Sequence, residues 1–178
     1  MAHDHCCSHT AATPSVQQNL DELDFERGIW AAAMDGEVDK VKKYLGNGGD
    51  PDAVDSAGYA ALHYAARSGQ RMTCEILLDH GANVNAQTRS GGATPMHRAA
   101  YQGHTEIVQL FLQRGGNITL RDSDGKTALH KAAERSKTQV CKLLVDKDRS
   151  LLTVTDIRNR KPVDCIPDGQ SELVHILE

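Results

Sequence analysis

The chain has 178 residues, with Lys plus Arg 20 against Asp plus Glu 24 and a net charge of −4. Without a domain-wide basic field it is not built to neutralise a phosphate backbone, which argues against nucleic acid as a partner. Its apolar runs fall far short of the ~20 residues that cross a bilayer, and Met1-Ala2-His3-Asp4-His5 lacks the apolar stretch of a signal peptide, so no membrane partner is expected.

Residues 1–15 read as a disordered tail. The tract His3-Asp4-His5-Cys6-Cys7-Ser8-His9 carries three imidazoles and two thiols, ligand types that suit zinc or copper. Ligands this crowded, in a segment with no core of its own, seldom close into a structural site, and adjacent thiols do not ligate as a CxxC pair does. No metal or cofactor is therefore expected. The alternative is a metal- or redox-responsive tail acting through His3, His5, Cys6, Cys7 and His9, with exposed thiols open to oxidation.

Residues 16–28 form an amphipathic lead-in, with Val16, Leu20, Leu23 and Phe25 on one helical face and acidic residues opposite. It either covers the exposed core of the first helical unit or docks a partner.

The main organisation is a repeat. Ala61-Leu62-His63-Tyr64-Ala65-Ala66 returns as Pro95-Met96-His97-Arg98-Ala99-Ala100 and as Ala128-Leu129-His130-Lys131-Ala132-Ala133; Leu62 to Met96 is 34 residues and Met96 to Leu129 is 33. Upstream, Ile29-Trp30-Ala31-Ala32-Ala33 keeps the register, and Gly36, Gly69 and Gly103 mark a turn between two helices. Each block then carries apolar residues spaced i, i+3, i+4 on a second helix: Val41, Tyr44, Leu45; Cys74, Leu77, Leu78; Val108, Phe111, Leu112; Cys141, Leu144, Val145. Gly48-Gly49, Gly81 and Gly115-Gly116 supply the exits. Pro162-Val163-Asp164 opens a fifth, shortened unit.

A period of 33 with Thr94-Pro95-Met96-His97-Arg98-Ala99 at its centre resembles the ankyrin repeat. The resemblance implies an all-α solenoid with short β-hairpin loops, of about four full repeats and a shortened C-terminal cap. The ankyrin domain is expected over 29–178, with repeats at about 29–54, 55–87, 88–121 and 122–155 and a cap at 156–178. Thr94 and Thr127 are placed to cap their helices, and Pro95 and Pro162 to sit at a first helical position. Leu62, Met96 and Leu129 are expected to anchor the core, and the paired alanines to let layers stack closely. His63, His97 and His130 are, by the resemblance, structural hydrogen-bonders rather than a metal or catalytic row.

Departures from the pattern carry expected costs. Ala60 replaces the capping Thr, Ser136 the turn Gly, and Asp148-Arg149 the Gly exit; positive φ at the last two would strain the backbone. The end from about 136 to 178 is thus expected to be least stable. Catalytic motifs fail on inspection: Gly125-Lys126-Thr127 lacks the earlier glycine of a phosphate loop, and Asp122-Ser123-Asp124-Gly125 lacks the outer ligands of a calcium loop. The chain reads as a non-enzyme.

By the resemblance, hairpin tips and first-helix ends line a concave face that binds another protein. Tyr59, Arg67, Ser68, Arg89, Tyr101, Gln102, Lys126, Glu134 and Arg135 are the candidate contacts; Tyr and Arg most often dominate such interfaces. Asn85 resembles the asparagine that intracellular hydroxylases modify in ankyrin hairpins, a further alternative. Five cysteines, with Cys74, Cys141 and Cys165 at core positions, form no disulfide framework and favour a reducing cytoplasmic or nuclear setting. The expected state is a monomer.

Overall fold

The computed structural model describes residues 28–178. The metal-candidate tail and all of the lead-in except Gly28 lie outside the described residues.

Helices alternate in antiparallel pairs. They are α1 (28–35) and α2 (Val38–Gly46), α3 (Ala61–Ser68) and α4 (Arg71–Asp79), α5 (Pro95–Gln102) and α6 (Thr105–Gln113), α7 (Ala128–Glu134) and α8 (Thr138–Lys147). Two 3-10 turns, Arg149–Thr153 and Pro162–Cys165, lead into α9 (Ser171–Leu177). First helices stack on first helices, α3 on α5 and α5 on α7; second helices stack likewise, α2 on α4, α4 on α6, α6 on α8 and α8 on α9. This is the expected ankyrin-type solenoid. Among the described residues, strand pairing is reduced to one bridge between Val54 and Ala60.

The paired alanines explain the close stacking. Ala65, Ala66, Ala99, Ala100, Ala132 and Ala133 are fully buried, and Leu62, Met96 and Leu129 fill the space between layers. Each of those three contributes roughly 1.5–3 kcal/mol on burial. The second helices bury a wider stripe than the spacing suggests. Ile76, Ile107, Leu110 and Val140 are buried, whereas Leu78 and Leu112 are only partly so. These helices are covered on two sides, by their own first helix and by the next second helix, so the stripe rotates toward the neighbouring repeat.

One expected backbone cost is present, one is absent, and one expected core residue lies outside the core. Ser136 takes φ 52, as the turn demands. Asp148 instead is extended at φ −157, and its Oδ1 accepts from the Ser150 N–H at 2.8 Å, which starts the first 3-10 turn without strain. Cys165 is half-buried rather than in the core with Cys74 and Cys141, because its segment is a single 3-10 turn at the end of the stack.

Candidate functional site

The second, third and fourth repeats and the cap each begin with a hairpin tip, and a side-chain oxygen shapes each of these four tips. Asp55 Oδ1 accepts from the N–H groups of Ala57 and Tyr59 at 2.9 and 2.8 Å. Asp122 Oδ1 does the same for Asp124 and Lys126, both at 2.9 Å, and Asp156 Oδ1 for Arg158 and Arg160, both at 2.9 Å. An aspartate suits this because its short carboxylate mimics a backbone acceptor two residues on. In the second tip Thr88 takes over, its hydroxyl accepting from Ala93 N–H at 3.1 Å. Thr88 lies six residues before its helix cap Thr94, while Asp122 lies five before Thr127. That extra residue is the reason the period lengthens to 34.

Neighbouring tips bond to each other: Ser123 N–H to the Gly91 carbonyl at 2.9 Å, and Ile157 N–H to the Asp124 carbonyl at 3.0 Å. The tips and first helices therefore form one continuous surface. At its centre is a cleft of about 340 Å³ lined by Ala93, Arg98, Tyr101, Asp122, Ser123, Asp124 and Lys131, among others.

Two aromatic–cation pairs cross between repeats on this surface. The Arg98 guanidinium lies 5.0 Å from the Tyr59 ring centre and donates to the Tyr59 hydroxyl. The Arg135 guanidinium lies 4.9 Å from the centre of the Tyr101 ring. In both pairs the tyrosine belongs to one repeat and the arginine to the next. Two ion pairs sit beside them, Lys126 with Glu134 and Lys131 with Asp122. Burial opposes the charge on Lys126, but the bond and field of Glu134 outweigh it and raise its pKa. For Asp122, burial is likewise outweighed by the Lys131 and Lys126 bonds, and its pKa is lowered.

The candidate contacts thus divide into two groups. Tyr59, Tyr101, Arg135, Lys126 and Glu134 are drawn into pairs. Arg67, Ser68 and Arg89 are exposed and Gln102 is partly buried, and none of these four side chains makes a hydrogen bond or ion pair among the described residues. Sequence reading missed Arg98 and Lys131. They occupy the position of the repeated core that differs in all three copies, where Tyr64, Arg98 and Lys131 succeed one another. A position that changes in every copy and carries a polar side chain was the available signal.

Asn85 is not a free tip residue. Its Oδ1 accepts from Asn117 N–H at 2.7 Å and its Nδ2 donates to the Gly115 carbonyl at 3.3 Å, so it links two repeats. Among the described residues, no group of three or more potential metal-ligating side chains comes together, and no helix is long and apolar enough to cross a membrane.

Comparison with known proteins agrees with this geometry. The family model for ankyrin repeats in three copies matches residues 29–122, and the single ankyrin repeat model matches 124–157. Ankyrin repeat domain-containing protein 39 of Homo sapiens is 53% identical over 83 residues, covering 47% of this chain and 45% of that protein. Its Bos taurus counterpart is 59% identical over 64 residues, 36% of this chain and 35% of that one. The transient receptor potential cation channel subfamily A member 1 homolog of Caenorhabditis elegans is 32% identical over 139 residues, 75% of this chain but 11% of that protein. The chain thus matches less than half the length of these curated relatives. With both family models covering most of its length and the repeat geometry in place, the chain belongs to the ankyrin-repeat family.

Proposed function

We propose that this chain is a non-catalytic protein-interaction module, acting as an adaptor through the face made by its hairpin tips and first helices, the concave side of an ankyrin stack. The observation that carries this reading is the pair of aromatic–cation stacks, Tyr59 with Arg98 and Tyr101 with Arg135, flanking one cleft. Stacked tyrosine and arginine present large, rigid contact area that needs little ordering on binding, which is what interface anchors require. Arg67, Ser68, Arg89 and Gln102 extend the surface around them. The module works as a monomer in the cytoplasm or nucleus, a setting that suits its free buried thiols Cys74 and Cys141.

The test is affinity purification with mass spectrometry from cells, comparing the wild type with Arg67→Glu/Arg89→Glu/Arg135→Glu and with an outer-face control, Glu106→Arg/Gln109→Glu. All five positions are exposed, so circular dichroism should show every variant folded. A partner kept by the control and lost by the first variant supports the reading. A partner lost only by the control moves the interface to the second helices.

A further inference from the structure

On the tip-side surface three cations have carboxylate partners, and among the described residues Asp55 and Asp124 hold tip carboxylates outside any ion pair. Lys126 and Lys131 have Glu134 and Asp122, and Arg160 has Asp156 at 2.8 Å. Arg98 has none. It is only partly exposed, its single side-chain hydrogen bond among the described residues goes to the Tyr59 hydroxyl, and its Nε is buried without a hydrogen-bond partner. A guanidinium carries five donors in a planar fork. The buried Nε–H of Arg98 has no acceptor among the described residues, which is unfavourable, while the exposed part of the fork faces the cleft and is open to one. Arg67, Arg89 and Arg135 are exposed, and they too lie beyond ion-pair distance of any described carboxylate. Four unpaired guanidiniums gather here in a chain whose net charge is −4.

We propose that this surface recognises an acidic segment of a partner protein in extended form, with one of its carboxylates docking in the cleft on Arg98. The inference rests on the tip-side interaction reading and names the chemistry of the partner. A carboxylate matches the planar guanidinium fork. Asp122 and Asp124 line the cleft and oppose any incoming anion, but they oppose a doubly charged phosphate more strongly than a singly charged carboxylate. The Tyr101 ring beside the cleft gives the aliphatic stem of a Glu an apolar surface to lie on. Stacking on Tyr59 holds the guanidinium before the carboxylate arrives, which lowers the ordering cost of binding. Neighbouring first helices pack roughly 8–10 Å apart and an extended chain advances about 3.3 Å per residue. Arg135 lies one helix over from Arg98 and about one turn, ~6 Å, further along, so acidic residues about three apart match that combined step of ~11 Å.

The experiment is a titration of the isotope-labelled whole chain monitored by NMR, reading backbone amides and the Arg98 Nε–H signal. The probe is a short synthetic peptide with Glu at every third position among Ala, Ser and Tyr, with Gln and phosphoserine analogues in parallel. The expected result is saturable shifts for the Glu peptide at residues 91–93, 98, 101 and 122–124, and at Arg98 Nε–H. The Gln analogue should shift none of them. Arg98→Gln should weaken binding by about tenfold, the loss of a charged hydrogen-bonded contact, and Arg98→Lys by less. Arg135→Gln, at an exposed position, gives a second reading should Arg98→Gln disturb the fold.

Equal binding of the Gln and Glu peptides at the cleft overturns the acidic-segment proposal and leaves the tip-side interface standing. Tighter binding of the phosphoserine analogue overturns the choice of carboxylate. Shifts confined to α2, α4, α6 and α8 overturn both readings. No shifts with any peptide at millimolar concentration overturns the proposal.

Discussion

His97 on α5 donates through Nε2 to the carbonyl of Lys126 at 2.9 Å, tying one repeat to the entry of the next. Its Nδ1 accepts from the Thr94 N–H at 3.2 Å and lies 2.8 Å from the Thr94 hydroxyl. The imidazole is therefore neutral, with its proton on Nε2. His63 bonds the carbonyls of Ala86 and Ala93 in the same way, both at 3.1 Å, and His130 that of Arg160 at 3.2 Å. A second proton on Nδ1 would destroy the cap inside each helix.

Acid should therefore loosen the stack through these histidines. Burial holds His97 and His130 below the ordinary histidine value and His63 down to about 4. A depressed histidine contributes stability that is fully present above the unfolded value of about 6.5 and lost as pH falls from there toward the folded value. For His63 alone that gap corresponds to roughly 3 kcal/mol. Urea midpoints should fall steadily between neutral pH and about pH 4. A flat profile across that window would show that the imidazoles are not linked to folding.

Ser136 holds φ 52, where its counterparts Gly69 and Gly103 hold 81 and 88. A non-glycine residue in this region costs roughly 1–2 kcal/mol, partly offset by the chain entropy that glycine adds to the unfolded state. Ser136→Gly should raise stability by about 0.5–1 kcal/mol, read as a higher midpoint at unchanged denaturant slope. An unchanged or lower midpoint would mean that the Ser136 side chain makes up the difference.

Ala60 starts α3 with only half a cap. The Ala60 N–H donates to His63 Nδ1 at 3.1 Å, but no hydroxyl is present to match those of Thr94 and Thr127. Ala60→Thr should add about 1 kcal/mol. Because Ala60 is fully buried, a loss of stability would show that the Tyr59–His63 contact leaves no room for the hydroxyl.

Gly58 closes the first tip at φ 82, and a Cβ there would lie 2.5 Å from the Arg89 backbone nitrogen. Gly58→Ala must therefore separate two tips as well as strain one residue. The expected cost is about 2 kcal/mol or more, with amide shifts reaching Arg89 in the next tip. A change confined to residues 55–59 would refute the claim that the tips act as one surface.

The C-terminal end should open first. Ser136 strains its turn, and α9 buries only Leu173 and Leu177. Amides in 137–145 should exchange faster than those in 104–112, where α6 buries Ile107, Val108, Leu110 and Phe111. Equal protection would place both helices in one cooperative unit.

Much of this protein was legible in its sequence because a repeat states its contacts several times. The period, the Ala pairs, the turn glycines and the capping threonines each arise from local geometry that recurs whenever the motif recurs. Ser136 was legible for the same reason: a turn that needs positive φ needs it whatever residue is present. Asp148 was not, because an extended residue capping a 3-10 turn removes the requirement, and only the path of the chain reveals that.

Helix pairs, stacking order and the identity of the tip residues are all encoded locally, since each depends on neighbours within about one repeat. The side chains that meet across repeats are not. Tyr59 and Arg98 are 39 residues apart and Asn85 and Asn117 are 32 apart, and their meeting depends on how one layer is rotated on the next. That rotation is set by the summed packing of the folded core, which no single motif encodes. It leaves Arg98 without a carboxylate and makes the tips a continuous surface.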